Sequence, residues 1–187
     1  MRFRATKTLL ILASLALLAS GSFAQEGAVM KPDGKMKMKA NPEQDFMMKA
    51  AMGGMLEVQL GQLAAQNASS PDVKQFGQRM VDDHSKAGDE LKNLAGTKQV
   101  ILPAELGPKE KAMLDHFAKL SGADFDREYM KDMVKDHDKD VAMFEKEARD
   151  AKDPDVKSWA EKTLPTLKEH QSMAHDIAGK VSGKKSM

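Results

Sequence analysis

The hexapeptide Pro-Asp-Val-Lys-Gln-Phe at residues 71–76 returns as Pro-Asp-Val-Lys-Ser-Trp at residues 154–159. Each copy opens a long amphipathic run. Each is preceded by another such run that begins with Asp-Phe, at Asp45-Phe46 and at Asp124-Phe125. Proline suits the first helical position, where its missing N–H leaves no bond unmade, and the Asp behind it meets the positive end of the helix. The repeat therefore predicts two similar helical hairpins, which is half of a four-helix bundle twice over.

Hydrophobic spacing fills in the rest. Phe46, Ala50, Gly53, Leu60 and Ala64 share one face of a first long helix over 43–67. Val73, Phe76, Met80, Ala87 and Leu91 line a second over 71–95, with Ser70 as its cap and Gly96 as the left-handed residue that ends it. Met130, Val134, Val141 and Phe144 mark a third over 123–151. Val156, Trp159, Leu167, Ala174 and Ile177 mark a fourth over 154–178. Pro165 falls on the outer side of that last helix, where it bends the helix around the core. Between the hairpins lie residues 97–122, with Pro103, Gly107 and Pro108 and one short amphipathic helix that Gly122 stops. A hairpin turn needs only a few residues, so this connector is long enough to travel the length of the bundle. The predicted fold is all-α, a ferritin-like four-helix bundle with a short helix in its long central connection.

The chain outside 43–178 reads differently. Arg2, Arg4 and Lys7 precede the apolar run Leu9–Ala19, and Ser22-Phe23-Ala24 supplies small residues for cleavage after Ala24, so residues 1–24 read as a secretory signal peptide. The run is too short to span a bilayer, which takes about 20 apolar residues. Residues 25–42 have no apolar period and are rich in Gly, Pro, Lys and Met, which predicts a linker. Residues 179–187 read as a basic tail. The product is expected to be exported, with the periplasm as its compartment and no transmembrane segment once the signal is removed.

Composition narrows the function. With no Cys there is no disulfide scaffold, thiolate metal site, Cys nucleophile or lipoprotein anchor. A formal charge of +1 with one Trp and one Tyr offers no nucleic-acid surface. No G-x-S-x-G, phosphate loop, dinucleotide fingerprint or zinc-protease motif occurs, and no nucleophile–base pair stands out.

The polar residues that remain are on the core faces. At the helical period His84 falls between Met80 and Ala87, His137 between Val134 and Val141, and His170 between Leu167 and Ala174. Glu57 lies on the apolar stripe of the first helix. Counting the helical rise, Glu57 and His84 lie about 15 and 20 Å from the first hairpin turn, and His137 and His170 about 21 and 24 Å from the second. With the turns at opposite ends of a bundle about 36 Å long, all four stand near mid-height. Two readings follow. The first is a buried polar network in which Asp83, Asp136 and Glu169, each one residue before a core histidine, bond to a histidine of the next helix, with no cofactor required. The alternative is a metal site of Glu57, His84, His137 and His170, suited to zinc, copper or iron. A ferritin-type di-iron site is not expected, because Val81, Val134 and Leu167 stand where Glu-x-x-His needs glutamates. The methionines at 30, 36, 38, 47, 48, 52 and 55 raise copper handling through soft thioethers as a further thought, set against plain gap-filling. His116 and His175 read as solvated, and the charged run from Lys135 to Asp140 as mostly an exposed face with His137 embedded in it.

The motif Met80-Val81-Asp82-Asp83-His84-Ser85-Lys86, the pattern Phe125…Tyr129…His137 and the pattern Leu164-Pro165…Leu167…His170 carry a resemblance. From Phe46 to Met173 the chain resembles an exported family catalogued as domain of unknown function 4142, whose members often bear an outer-membrane label. The resemblance implies a ferritin-type bundle and export, and no activity. The label fits poorly with a sequence that lacks the alternating strands, each about 10 residues long, of a membrane barrel. The functional expectation is an exported, non-enzymatic envelope or stress-associated binding module. Its alternative is a metal-binding or redox-protective bundle.

Overall fold

The computed structural model describes residues 41–183. The signal-peptide reading, nearly all of the linker reading with Met30, Met36 and Met38, and the last four residues of the tail lie outside the described residues.

Five helices follow in order: α1 Pro42–Asn67, α2 Pro71–Thr97, α3 Pro108–Phe117, α4 Gly122–Asp150 and α5 Pro154–Ser182. Four of them begin on proline. Asn41 accepts a hydrogen bond from the Glu43 N–H at 3.1 Å, and Asp153 accepts from the N–H groups of Asp155 and Val156. Ser70, expected to cap α2 with its side chain, does not. Its N–H and that of Ser69 donate to Asp126 of α4, at 2.9 and 3.0 Å. A carboxylate from another helix thus replaces the local cap.

Three ends differ from expectation. Gly96 is helical, and the left-handed residue after α2 is Gln99. Gly122 does not end α3; it opens α4 with φ +62°. Helix α5 runs on to Ser182, into residues read as tail, because buried Val181 continues the stripe of Ile177 by one further turn. Pro165 lies inside α5 on its exposed side, as expected.

Helix α1 packs along α2, α4 along α5, and the two hairpins meet through α2–α5 and α1–α4. End contacts fix the directions. Glu43, at the start of α1, accepts from the backbone of Lys152 and Asp153 in the α4–α5 turn. Ala68, just past α1, bridges Gly122 at the start of α4. Lys98 at the end of α2 pairs with Asp153 and Asp155 at the start of α5, and Lys180 near the end of α5 pairs with Asp72 at the start of α2. Each of the four long helices is therefore antiparallel to the long helices it packs against, and the connector with α3 runs from one end of this helical layer to the other. Among the described residues no helix is long and apolar enough to cross a membrane.

Two apolar clusters fill the interior. One, toward the α1–α2 turn, holds Leu60, Val73, Phe76, Phe125, Tyr129 and Met130. The other, toward the α4–α5 turn, holds Phe46, Leu91, Phe144, Trp159 and Leu167. In the first, α1 and α2 approach closely at Gly61 and Gly77. A Cβ on Gly61 would lie 2.5 Å from the Gly77 carbonyl oxygen, so only glycine fits.

Candidate metal centre

Between the two clusters lies a polar layer. His84 is one and two turns past Met80 and Phe76 on α2. His137 is one turn past Met133 on α4. His170 sits between Leu167 and Ala174 on α5, and Glu57 beside Leu56 on α1. All four residues are buried: Glu57 is 3% exposed, His84 8%, and His137 and His170 0%. The structure brings together every residue singled out on the core faces. Their levels agree because the helices are antiparallel and the two turns lie at opposite ends.

The three imidazoles form a triangle with ring centroids 5.9, 5.3 and 5.4 Å apart. One ring nitrogen from each lies within 4.8 Å of the other two. Phe76 closes one side, edge-on to His137 and His170. Glu57 bridges two of the rings, with Oε2 at 3.1 Å from His84 Nδ1 and Oε1 at 3.6 Å from His137 Nε2. Neither approach has hydrogen-bonding geometry.

The outer nitrogens are held. His137 Nδ1 donates to the Met133 carbonyl oxygen at 2.9 Å, since a carbonyl can only accept. His170 Nε2 bonds to Asp83 Oδ2 at 2.8 Å. Asp83 is itself gripped by Arg79, which also reaches Glu169 and, at 3.5 Å, the Met173 sulfur. In a neutral ring, a proton on the held nitrogen leaves a lone pair on the other. Those other nitrogens, His137 Nε2 and His170 Nδ1, are buried without a hydrogen-bond partner, as is His84 Nε2. Both oxygens of Glu57 and the hydroxyl of Tyr129 are buried and unpartnered too.

Electrostatics favours neutral rings. Burial lowers the pKa of His84, reinforced by His170 and His137. Burial brings His137 down to about 4. His170 is lowered by burial despite the opposing bond to Asp83. For Asp83 burial acts upward, but bonds from His170 and Arg79 outweigh it and hold the carboxyl below its usual range. Glu57 is raised by burial and then by Asp140, Asp136 and Asp132. The layer is thus three neutral imidazoles and an acid with no cationic partner, an arrangement that a metal cation would satisfy.

Of the three predicted histidine–carboxylate pairs only Asp83–His170 forms. Asp136 pairs with Lys139, and Glu169 with Arg79. The run from Lys135 to Asp140 is not wholly solvated either. Asp136 and Asp140 are half-buried, and burial with the nearby Asp136 pushes Asp140 up to about 6. Asp132, Asp136 and Asp140 recur every fourth residue on the flank of the His137 stripe, a period that a charged surface face would show equally. Tyr129, two turns before His137, was likewise missed as part of this interior. His116 and His175 are exposed and pair with Glu128 and Asp138.

A cleft of about 330 Å³ has Glu57, His84 and Asp140 among its lining residues.

Residues 28–177 match the family described as Domain of unknown function (DUF4142), which bears out the resemblance. A comparison with curated proteins finds no match. Among solved structures, a DUF305 protein of Streptomyces coelicolor described as secreted is similar at TM-score 0.65 and 10% identity, over 78% of this chain and 96% of that one. A DUF305 fragment from Deinococcus radiodurans is similar at TM-score 0.64 and 13% identity, over 74% and 96%. CopM in its Cu(I)-bound form is similar at TM-score 0.63 and 17% identity, over 75% and 98%. At these identities the likeness is one of fold.

Proposed function

The chain belongs to this family of unknown function, and we propose that it is an exported metal-binding bundle of ferritin-like connectivity. In this reading it holds one transition-metal ion through His84, His137 and His170, with Glu57 as the fourth ligand or as the charge that offsets the ion. The observation that carries the reading is the pairing within each ring. Each imidazole has one nitrogen at or near a protein partner and one buried without any, and ring nitrogens from all three helices converge within 4.8 Å. Buried polar atoms are ordinarily satisfied, and leaving one unmade costs about 1–3 kcal/mol. Three imidazoles and a carboxylate suit zinc, copper or iron(II), and an ion there would act as charge and as a Lewis acid. The fold likeness to a copper-loaded protein supports copper among these. Asp83 and the Met133 carbonyl orient His170 and His137, the support that metal-binding imidazoles ordinarily have. The apolar run at residues 9–19, with basic residues before it and small ones after, supports export, as does the secreted DUF305 relative in fold.

A buried network without metal is the second reading, favoured by the Asp83–His170 bond. Calorimetric titration of copper(II) and zinc(II) into chelator-treated protein separates the two. The metal reading expects one ion per chain and a loss of at least about tenfold in affinity for each of His84→Ala, His137→Ala and His170→Ala. Binding that none of the three substitutions weakens would sink it.

A further inference from the structure

Glycines serve two different ends on α1 and α2. At Gly61 and Gly77 they let the helices touch, since a Cβ on Gly61 would lie 2.5 Å from the Gly77 carbonyl oxygen. At Gly54 and Gly88 nothing presses on them. A Cβ on Gly88 would meet no atom within 4 Å, and one on Gly54 only His84 Nδ1, at an ordinary 3.8 Å. Alanine would fit at both positions and would hold a helix better. Packing therefore does not explain these two glycines, whereas a use for the space in front of them does. Both line the cleft of about 330 Å³, with Ala50, Ala51 and Ala87 beside them. Leu91, Phe144, Trp159 and Leu167 add buried apolar side chains to the lining, and Leu102 and Pro103 of the connector add half-buried ones. The charges on the lining are mixed and mostly matched. Lys92 pairs with Asp89 at 3.1 Å, both in exposed positions. The oxygens of Glu57 are turned to His84 and His137, which leaves the half-buried Asp140 as a single acid.

We infer that this cleft binds an uncharged apolar molecule of about two fused rings, against the small residues of α1 and α2 and the side chains of Leu91, Leu102, Phe144 and Trp159. Carbon walls reward the burial of apolar surface and penalise a charge of either sign, which would lose its water and gain no partner. Volume sets the size. An apolar cavity of about 150 Å³ holds benzene, so one of about 330 Å³ holds roughly two such rings. Phe144 and Trp159, tilted by 50° with centroids 5.3 Å apart, offer aromatic contacts to a ring. The inference goes beyond the metal reading and does not depend on an ion being bound by the histidines.

Trp159 is the only tryptophan of the chain and lines the cleft, so its fluorescence reports occupancy. The experiment titrates three probes of one bicyclic size into the protein with chelator present: 2-indanol, 2-aminoindane as the cation and indane-2-carboxylate as the anion. The expected result is a saturable change in Trp159 emission with 2-indanol, and binding at least about tenfold weaker for each charged probe. Gly88→Leu fills the space without a clash and is expected to abolish the response, with the helical circular dichroism unchanged. Gly96→Leu, at an exposed position of the same helix outside the cleft lining, is expected to leave the response intact. Leu102→Ser, in the connector, is expected to weaken binding of 2-indanol about tenfold. No saturable response to 2-indanol, or a charged probe that binds as tightly, would overturn the inference. A response that survives both Gly88→Leu and Leu102→Ser, or one that Gly96→Leu removes equally, would do the same. Because chelator is present throughout, failure of the cleft inference and failure of the metal reading are read separately.

Discussion

The two apolar clusters and the polar layer between them are built from the same four helices, yet they solve opposite problems. In the clusters, shape is enough. Phe125 stacks on Tyr129 at 5.3 Å, and Phe46 meets Phe144 and Trp159 edge-on at 4.9 and 5.8 Å. In the layer, Glu57, His84, His137 and His170 occupy positions that leucine would fill, and they leave five side-chain atoms without partners. The clusters stabilise the fold, whereas the layer weakens it unless something binds there. Buried polar groups that could be replaced by apolar ones at little cost in stability are better explained by binding than by folding.

The largest effect expected is in the clusters. Phe125 is fully buried, and Phe125→Ala should lower the free energy of unfolding in urea by about 3–5 kcal/mol. His137→Leu, equally buried, should in the presence of chelator be neutral or stabilising. Equal damage from the two substitutions would break the contrast.

A satisfied buried acid sharpens it next. Asp126 is 3% exposed and accepts from the N–H groups of Ser69 and Ser70 and from the Ser69 hydroxyl. Asp126→Ala strands those donors and should cost about 1–3 kcal/mol by the same measurement. Glu57→Gln, by contrast, removes an acid that no donor satisfies, and should cost less without metal.

Acid separates the layer from the clusters again. The folded pKa values of His84, His137 and His170 are lowered, to about 4 for His137, against about 6.5 unfolded. Between those values the unfolded chain binds more protons, so this contribution is full above about 6.5 and is lost as pH falls toward 4. Asp140 acts the other way. Its folded value of about 6 exceeds the unfolded one, so its contribution weakens stability as pH rises from about 4 through 6. Urea unfolding with chelator at pH 4 to 8 should show a loss in acid that His137→Ala reduces. Asp140→Asn should stabilise at pH 7 and have no effect near pH 4.

The smallest effect belongs outside both regions. Lys49 pairs with Asp45 on the exposed face of α1, with both side chains more than half exposed. Lys49→Ala should change stability by less than about 0.5 kcal/mol, a reference against which the layer variants are judged.

The helices and the four polar core residues were legible because both rest on period and length. Apolar spacing fixes a helix face, and two opposed turns bring Glu57 and the histidines to one height. What depends on helix-to-helix rotation was not legible. Asp83 and not Asp136 or Glu169 meets a histidine because only α2 turns its flank toward a neighbouring ring. Gly61 and Gly77 mark a close helix crossing that no single-helix pattern reveals. Asp140 looked solvated because a charged residue every fourth position reads the same whether its neighbour is water or another helix. Helix ends failed where distant groups decide them: Asp126 takes over from the Ser70 side chain, and the turn after α2 bends at Gln99 instead of the nearest glycine.

The central claim is that the polar layer is kept for an ion. The most direct measurement is the metal content of untagged protein purified from the cell that produces it, by elemental analysis, beside His137→Ala purified in the same way. The account predicts close to one copper or other transition-metal ion per wild-type chain and nearly none in the variant. Equal content in the two proteins, or a wild-type chain without such an ion that also takes up none from added copper, zinc or iron(II), would contradict it.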